Sequence, residues 1–273
     1  MTNFADPDVD GSVVSDSQAP ATKSLELDQK DRLACLLREA VAQKKLATIV
    51  IFEGAGVAGI LHTIQRMCQT LDPRHYYVHH FPEPVKHRPV LFLREYWQKL
   101  PLMGDLAIYD GSYYHNWIAA ELAAKKSQKK AEKKYRAGLI EEIKNFERTL
   151  ADNGYLILKV RVARREKDLK KDLKKDRSSI IRKSLLKTRV RELFDDYDDY
   201  VKNLTKLARK TDAPHAPWFV PPAGDGAVVA TAVFDYLIAR LEEALGVDSR
   251  SAVAEFDAAM DRVRRMRAAG GAV

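Results

Sequence analysis

The sequence predicts an α/β fold, a parallel sheet sandwiched between helices. Three observations predict it. Short, nearly continuous apolar runs recur along the chain ("ATIVIFE", "LAIYD", "YLILKVRV"), as they do in strands buried on both faces. Longer segments with apolar residues at helical spacing separate them, and this alternation defines βα units. The first run leads into "EGAGVAG", residues 53–59, a glycine-rich turn between a strand and a helix.

The elements follow in order. Residues 1–23 are rich in Ser, Asp, Pro and Ala with few aromatics, the composition of a disordered arm. Ser24 is placed to cap a helix over residues 25–46, with Leu33, Leu36, Leu37, Ala40 and Val41 as one apolar stripe. "ATIVIFE" is the first strand. The helix after the glycine turn carries Ile60, Ile64, Met67, Cys68 and Leu71 inward and stops before Pro73. "YYVHHF" is the second strand; its adjacent His79 and His80 point to opposite faces, which suits joint metal ligation poorly. "VLFLREYWQKL" reads as a helix ending at Pro101, with Trp97 on its core side. "LAIYD" is a third strand ending at Asp110, followed by an Ala- and Lys-rich helical region. Asn153-Gly154 terminates the helix of "LIEEIKNFERTLAD", and "YLILKVRV" is the fourth strand. Residues 164–191 are helical by composition. A helix from Glu192 to Lys210 turns Leu193, Tyr197, Tyr200, Leu204 and Leu207 inward. "APWFVPP" supplies a short last strand with Trp218 as a packing residue, and "AVVATAVFDYLIARLEEAL" the last core helix. The domain thus spans 24–246, and 247–273 form an amphipathic tail helix. No internal repeat is present.

The length of 273 residues suits one large α/β domain or two small ones. No apolar stretch has bilayer-spanning length. The acidic start, Thr2 to Asp16, lacks the basic and apolar regions of a secretory leader. Cys35 and Cys68 fall inside apolar helical patterns and read as small core residues in a reducing compartment. A cytoplasmic protein with no membrane partner is therefore expected. The formal net charge is +8, unevenly placed: residues 159–191 hold fifteen Lys or Arg against four Asp or Glu, and a second cluster spans Lys125 to Arg136. Such runs attract polyanions.

Gly54 and Gly59 have the spacing of the glycines in the phosphate-binding pattern G-x-x-x-x-G-K-[ST]. In such a loop, backbone N–H groups wrap phosphates at a helix N-terminus, and Gly54, Gly56 and Gly59 permit that wrap. Ile60 and Leu61 stand where Lys and Ser or Thr belong. Ile60 cannot neutralise phosphate charge and Leu61 cannot ligate Mg²⁺. Asp110 ends a strand about fifty residues later, where a metal-associated carboxylate belongs in such proteins. In parallel sheets, ligands bind at the carboxyl ends of strands, so the stretches after Glu53 and Asp110 share one edge. Trp97, Tyr113, Tyr114 and Trp117 are candidates to stack on a base.

Residues Leu46 to Leu245 resemble the polyphosphate kinase 2 family. The resemblance rests on "TLDPR" (Thr70 to Arg74), "REYWQKLP" (Arg94 to Pro101), "YDGSYYHNW" (Tyr109 to Trp117), "NFERTLADNGYLILK" and "KTDAPHAPWFVPPAGD", five motifs in order. It implies a P-loop fold similar to thymidylate kinase, with transfer of phosphoryl groups between inorganic polyphosphate and a nucleotide. It also implies Mg²⁺ as cofactor, Asp110 as the metal-binding and catalytic carboxylate, and a basic helical lid over about 164–191. Arg164, Arg165, Lys170, Lys171, Lys174 and Lys175 would be its polyphosphate contacts. The family loop reads E-G-x-D-A-A-G-K-G-G. Here its Asp is Gly56 and its Lys is Ile60. In F-D-R-S-W-Y-N-R-A the first Arg is Gly111, and Asn-Arg is His115-Asn116. The pattern is similar to the atypical half of tandem polyphosphate:AMP phosphotransferases. In a disarmed enzyme, residue 60 would still face the phosphates from the helix start, opposite Asp110. Two readings result: a phosphotransferase whose activity is weak or lost, or a non-catalytic subunit that binds polyphosphate and a purine nucleotide and pairs with an active paralogue. A homo-oligomer, or pairing with an active paralogue, is expected. A third reading, nucleic-acid binding through the basic helices, lacks a recognition motif.

Overall fold

The computed structural model describes residues 19–81, 92–127, 130–175 and 197–270, apart from the side chains of 19–23, 123–135, 172, 173, 175 and 268–270. Five strands form one parallel sheet in the order β2-β3-β1-β4-β5: β1 Ala47–Glu53, β2 Tyr76–His80, β3 Leu106–Asp110, β4 Tyr155–Arg161 and β5 Trp218–Phe219. Every residue of β1 is buried, as expected of a central parallel strand covered on both faces. Its register sets Phe52 beside Asp110 of β3 and Glu53 beside Arg161 of β4. The polar ends of three strands therefore meet at one edge.

Alternation along the strands divides the core in two. Val50, Phe52, Ile108 and Leu158 face helices α1 (Ala19–Gln43), α2 (Val57–Thr70) and α8 (Gly226–Leu245). Ile49, Ile51, Tyr109 and Ile157 face α4 (Tyr114–Ser127), α5 (Lys130–Asp152) and α7 (Tyr197–Thr211). Asp225 caps α8, accepting from the N–H groups of Ala227 and Val228, and Gly246 closes it at φ 67°. Helix α6 (Glu166–Lys175) follows β4, a single turn α3 (Arg94–Trp97) precedes β3, and α9 (Ser249–Gly270) ends the described chain.

Several expectations are corrected. Helix α1 begins at Ala19, so Ser24 lies inside it and does not cap it; residues 1–18 lie outside the described residues. The helix expected before Pro101 is one turn, in which Tyr96 is buried and Trp97 is 47% exposed, touching Phe146 edge-on. Tyr113, Tyr114 and Trp117 are core residues at 1%, 0% and 1% exposure and present no face to a base. Cys35 and Cys68 are half-buried free thiols. Of the basic segment 164–191, α6 is described; residues 176–196, Leu193 among them, lie outside.

Candidate functional site

The glycine turn after β1 is tightly packed against the end of β4. Gly54 has φ +122°, and a Cβ there would lie 2.3 Å from the Val162 carbonyl oxygen. The Gly56 N–H donates to that oxygen (3.0 Å), while the Val162 N–H donates to the Glu53 carbonyl (2.8 Å). The end of β4 is thus sewn onto the turn. Helix α2 starts at Val57, with Gly56 as its N-cap, and the Ile60 N–H already closes an intrahelical bond to the Gly56 carbonyl. Of the residues expected to wrap phosphate, 57–59 lie in helix α2 and Gly56 stands at its cap. Gly59 lies within that helix, where a Cβ would come 3.3 Å from Val229; it serves the close approach of α2 and α8. Ile60 is 4% exposed and belongs to the core with Ile64, Val162 and Val229. Residue 60 therefore does not face the cleft.

The mouth of the turn is closed by apolar side chains. Ala55 and Val57 form a small buried cluster with Leu169 of α6 and Tyr197 of α7, flanked by Leu61, Tyr200 and Val201. The Tyr197 hydroxyl donates to the Arg164 carbonyl. The Tyr200 hydroxyl reaches the Gly54 backbone, and burial plus the nearby Glu53 charge raise its pKa. A cavity of about 270 Å³ remains beside the turn, lined by Gly54, Arg161, Arg164, Arg165 and Tyr197 among others.

Two carboxylates mark the strand ends. Asp110 has His80 Nδ1 3.0 Å from its Oδ2. Glu53 is wholly buried: Ser112 Oγ donates to its Oε1 (2.7 Å), and His115 Nε2 lies 3.0 Å from its Oε2. Burial opposes charge on His115. The Glu53 carboxylate and hydrogen bonds to Glu53 and the Phe81 backbone outweigh it, so the imidazole pKa is raised. Gly111 sits at φ +77°, and a Cβ there would meet His115 Cε1 at 2.6 Å and the Phe81 oxygen at 2.8 Å. Two of the departures from the family pattern, Gly111 and His115, are one steric unit. Among the described residues no group of three His, Cys, Asp or Glu is disposed to hold a metal. Asp110 alone can supply Mg²⁺ one carboxylate, which suffices where phosphate oxygens and water complete the shell.

The six basic residues expected of the lid separate into distinct environments. Arg164 Nη1 donates to the Gly224 carbonyl (2.8 Å), and Arg165 Nε to Asp168 (2.6 Å). Lys170 pairs with Glu166 one turn earlier. Lys171 and Lys174 are exposed, as is Lys167; at this spacing the three share one solvent face opposite buried Leu169. The side chain of Lys175 lies outside the described residues. Arg164 and Arg165 line the loop cavity, and the lysines look outward.

A further polar cluster escapes a motif-by-motif reading. Lys159 of β4 is fully buried and donates to Glu147 Oε2 (2.9 Å) and the Thr211 carbonyl (2.7 Å). Tyr113 donates to Glu147 Oε1 (2.8 Å), Tyr114 donates to the same oxygen, and Trp218 Nε1 donates to Thr211 Oγ1 (2.9 Å). Burial lowers the Lys159 pKa against the pull of Glu147. The signal was a lysine inside an apolar strand, which requires a buried partner.

A five-stranded parallel sheet between helical layers, with a glycine turn after its central strand and an acidic neighbouring strand end, makes the chain an α/β protein of the parallel-sheet class. Residues 17–246 match the Polyphosphate kinase 2 (PPK2) family, and the chain belongs to that family. It is 24% identical over 176 residues to an ADP-polyphosphate phosphotransferase 3 of Rhizobium meliloti (64% of this chain, 60% of the relative). It is 26% identical over 242 residues to a Polyphosphate:AMP phosphotransferase of Pseudomonas aeruginosa (84% and 47%). The chain thus spans about half the length of these relatives. The crystal structure of Polyphosphate Kinase 2 from Arthrobacter aurescens TC1 superposes with a TM-score of 0.70 at 21% identity, covering 87% of this chain and 84% of that one. At that identity the likeness is one of fold.

Proposed function

We propose that this chain binds inorganic polyphosphate as a member of the PPK2 family in which phosphoryl transfer to a nucleotide is weak or lost. The observation that carries the reading is Ile60. At the position of the family's loop lysine stands a core residue at 4% exposure. Leu169 and Tyr197 cover the turn where phosphates would lie, which supports the same conclusion. Removing a cleft cation costs orders of magnitude in transfer, about 10²–10⁵-fold for comparable groups, whereas binding to a polyanion through many cations survives such a loss. Arg164, Arg165, Lys170, Lys171, Lys174 and Lys175 would hold polyphosphate, Asp110 would hold Mg²⁺, which would supply charge neutralisation at phosphate, and a purine nucleotide would be the second ligand. The setting is cytoplasmic. No described helix is long and apolar enough to cross a membrane.

A second reading is a non-catalytic subunit that pairs with an active paralogue, and the core position of Ile60 supports it equally. The test is a phosphotransfer assay of the pure protein with polyphosphate, Mg²⁺ and each nucleoside mono- and diphosphate, alone and with an active relative. Turnover by the protein alone in the usual kinase range of about 1–100 s⁻¹ overturns the proposal. Stimulation of the relative favours the second reading.

A further inference from the structure

Helix α9 lies beyond residues 17–246, the part matched by the family. Its start is firmly held: Arg32 Nε donates to Ser249 Oγ (2.8 Å), and Asp248 accepts from the Arg250 N–H (3.1 Å) and Ser251 Oγ (2.8 Å). Further along, the helix exposes large apolar side chains: Phe256 at 40%, Met260 at 39% and Val263 at 40%. At about 100° per residue these three share an arc of roughly 60°. The Arg38 guanidinium lies 4.6 Å from the Phe256 ring centroid, so the stripe begins against the body of the protein and continues into solvent.

The charges beside this stripe identify what covers it. Glu255 and Arg262 flank one side, and Asp257 and Arg264 flank the other. On each flank the acid precedes the base by seven residues. When two copies of the helix pack antiparallel about a two-fold axis at Met260, Phe256 of one copy meets Val263 of the other. Asp257 then faces Arg264, and Glu255 faces Arg262, each pair formed twice. Parallel packing would instead set Glu255 beside Asp257 and Arg262 beside Arg264. We propose that α9 is a homodimerisation helix whose occupant is α9 of a second copy of this chain, packed antiparallel. Such an interface is isologous, the self-complementary kind on which closed two-fold dimers are built. Within one copy Arg264 meets Asp261 at 3.1 Å, an exposed pair of little worth that a partner carboxylate can displace. The acid–base pairing on both flanks favours a second copy of the helix over an anionic lipid surface, which would leave Glu255 and Asp257 facing like charge. The proposal is independent of whether the cleft transfers phosphate.

Sedimentation equilibrium of the full chain tests it. A dimer is expected. Met260→Lys should make it monomeric with an unchanged far-ultraviolet circular-dichroism spectrum, since the residue is outside the core. Asp257→Arg and Arg264→Asp should each weaken dimerisation about tenfold or more, by placing like charges opposite one another. The double reversal Asp257→Arg/Arg264→Asp should recover most of the loss. Val263→Glu provides a second disruption should Met260→Lys fold poorly. A monomer at every concentration reached overturns the proposal. So does a dimer indifferent to Met260→Lys and Val263→Glu, a double reversal that does not recover, or a monomer that binds anionic phospholipid vesicles through α9.

Discussion

An imidazole ring occupies the space into which a side chain at residue 111 would grow, 2.6 Å from the position of its Cβ, and the backbone there has φ +77°. Arginine at 111 is therefore excluded for as long as His115 stays where it is. Gly56 is blocked in the same way, since a Cβ would fall 2.3 Å from Val162 Cγ1. Lysine at 60 would place an ammonium in the α2 core, where an unpaired charge costs several kcal/mol or shifts to its neutral form. Restoring the family's side chains with Gly56→Asp, Ile60→Lys and Gly111→Arg is thus expected to lower the melting temperature and recover no transfer. Gly111→Arg alone should destabilise, and adding His115→Asn should recover part of the loss in a thermal melt. A triple variant that melts like the parent and makes nucleotide from polyphosphate would show that three side chains alone disarm the cleft. His115 also sets a pH dependence. Its folded pKa is raised above the unfolded value, so its stabilisation is complete below the unfolded pKa, about 6.5. That stabilisation is lost as pH rises through the higher folded pKa. The melting-temperature advantage of the parent over His115→Gln should shrink with rising pH, and a difference constant across that range would mean the ring is neutral throughout.

At the level of elements, strand positions were legible and the site was legible in part. The strands show because β1, β3 and β4 are apolar on both faces, a demand that leaves little freedom in sequence. The single turn α3 was read too long because Phe92, Leu93 and Tyr96 mimic a helical stripe, although Trp97 faces solvent and packs by one edge. The glycine spacing of the loop matches a phosphate wrap, and Gly56 offers no side-chain cap to announce that α2 begins at Val57. Nothing in local sequence reveals that Val162, over a hundred residues away, would fill that turn. The contact of α6 with the turn was equally hidden, since among the described side chains it depends on Leu169, set in a run of charges. That residue makes a prediction at its own scale. Large-to-small changes at buried leucines cost about 2–5 kcal/mol when the whole fold bears them, but α6 packs as a local unit and should open alone. Leu169→Ala should speed amide hydrogen exchange in α6 and at residues 54–58 while α8 exchanges as before. Unchanged exchange in α6 would mean that Leu169 does not hold it.

Across the whole molecule, the motifs that carry the family resemblance hold the second core together as much as they build a cleft. "FERTL", "LILK", "SYY", "KTDAP" and "APW" supply Glu147, Lys159, Tyr113 with Tyr114, Thr211 and Trp218, and these side chains join one buried network across α4, α5, α7, β4 and β5. Breaking a buried ion pair from one side leaves an uncompensated charge, at a cost of about 3–5 kcal/mol, which gives these residues a structural role independent of turnover. Keeping the family's sequence signature and sheet therefore serves the fold itself, whatever the cleft does.

What the molecule retains for a polyanion is charge: +8 overall, with Lys167, Lys171 and Lys174 presented on one face of α6. Binding through that face releases counterions, so affinity should fall with salt along a log–log slope of roughly 0.7 to 0.9 per phosphate neutralised, by analogy with nucleic acids. Long polyphosphate should bind the parent with a steep slope. Lys170→Ala, Lys171→Ala, Lys174→Ala and Lys175→Ala together should both weaken binding at low salt and flatten the slope. The flattening discriminates, because a variant that merely binds less through partial unfolding would keep the slope of its folded fraction. A parent whose affinity is indifferent to salt, or a four-fold variant with the parent's slope, would assign the lysine face to solvation alone and return polyphosphate to the cavity lined by Arg161, Arg164 and Arg165.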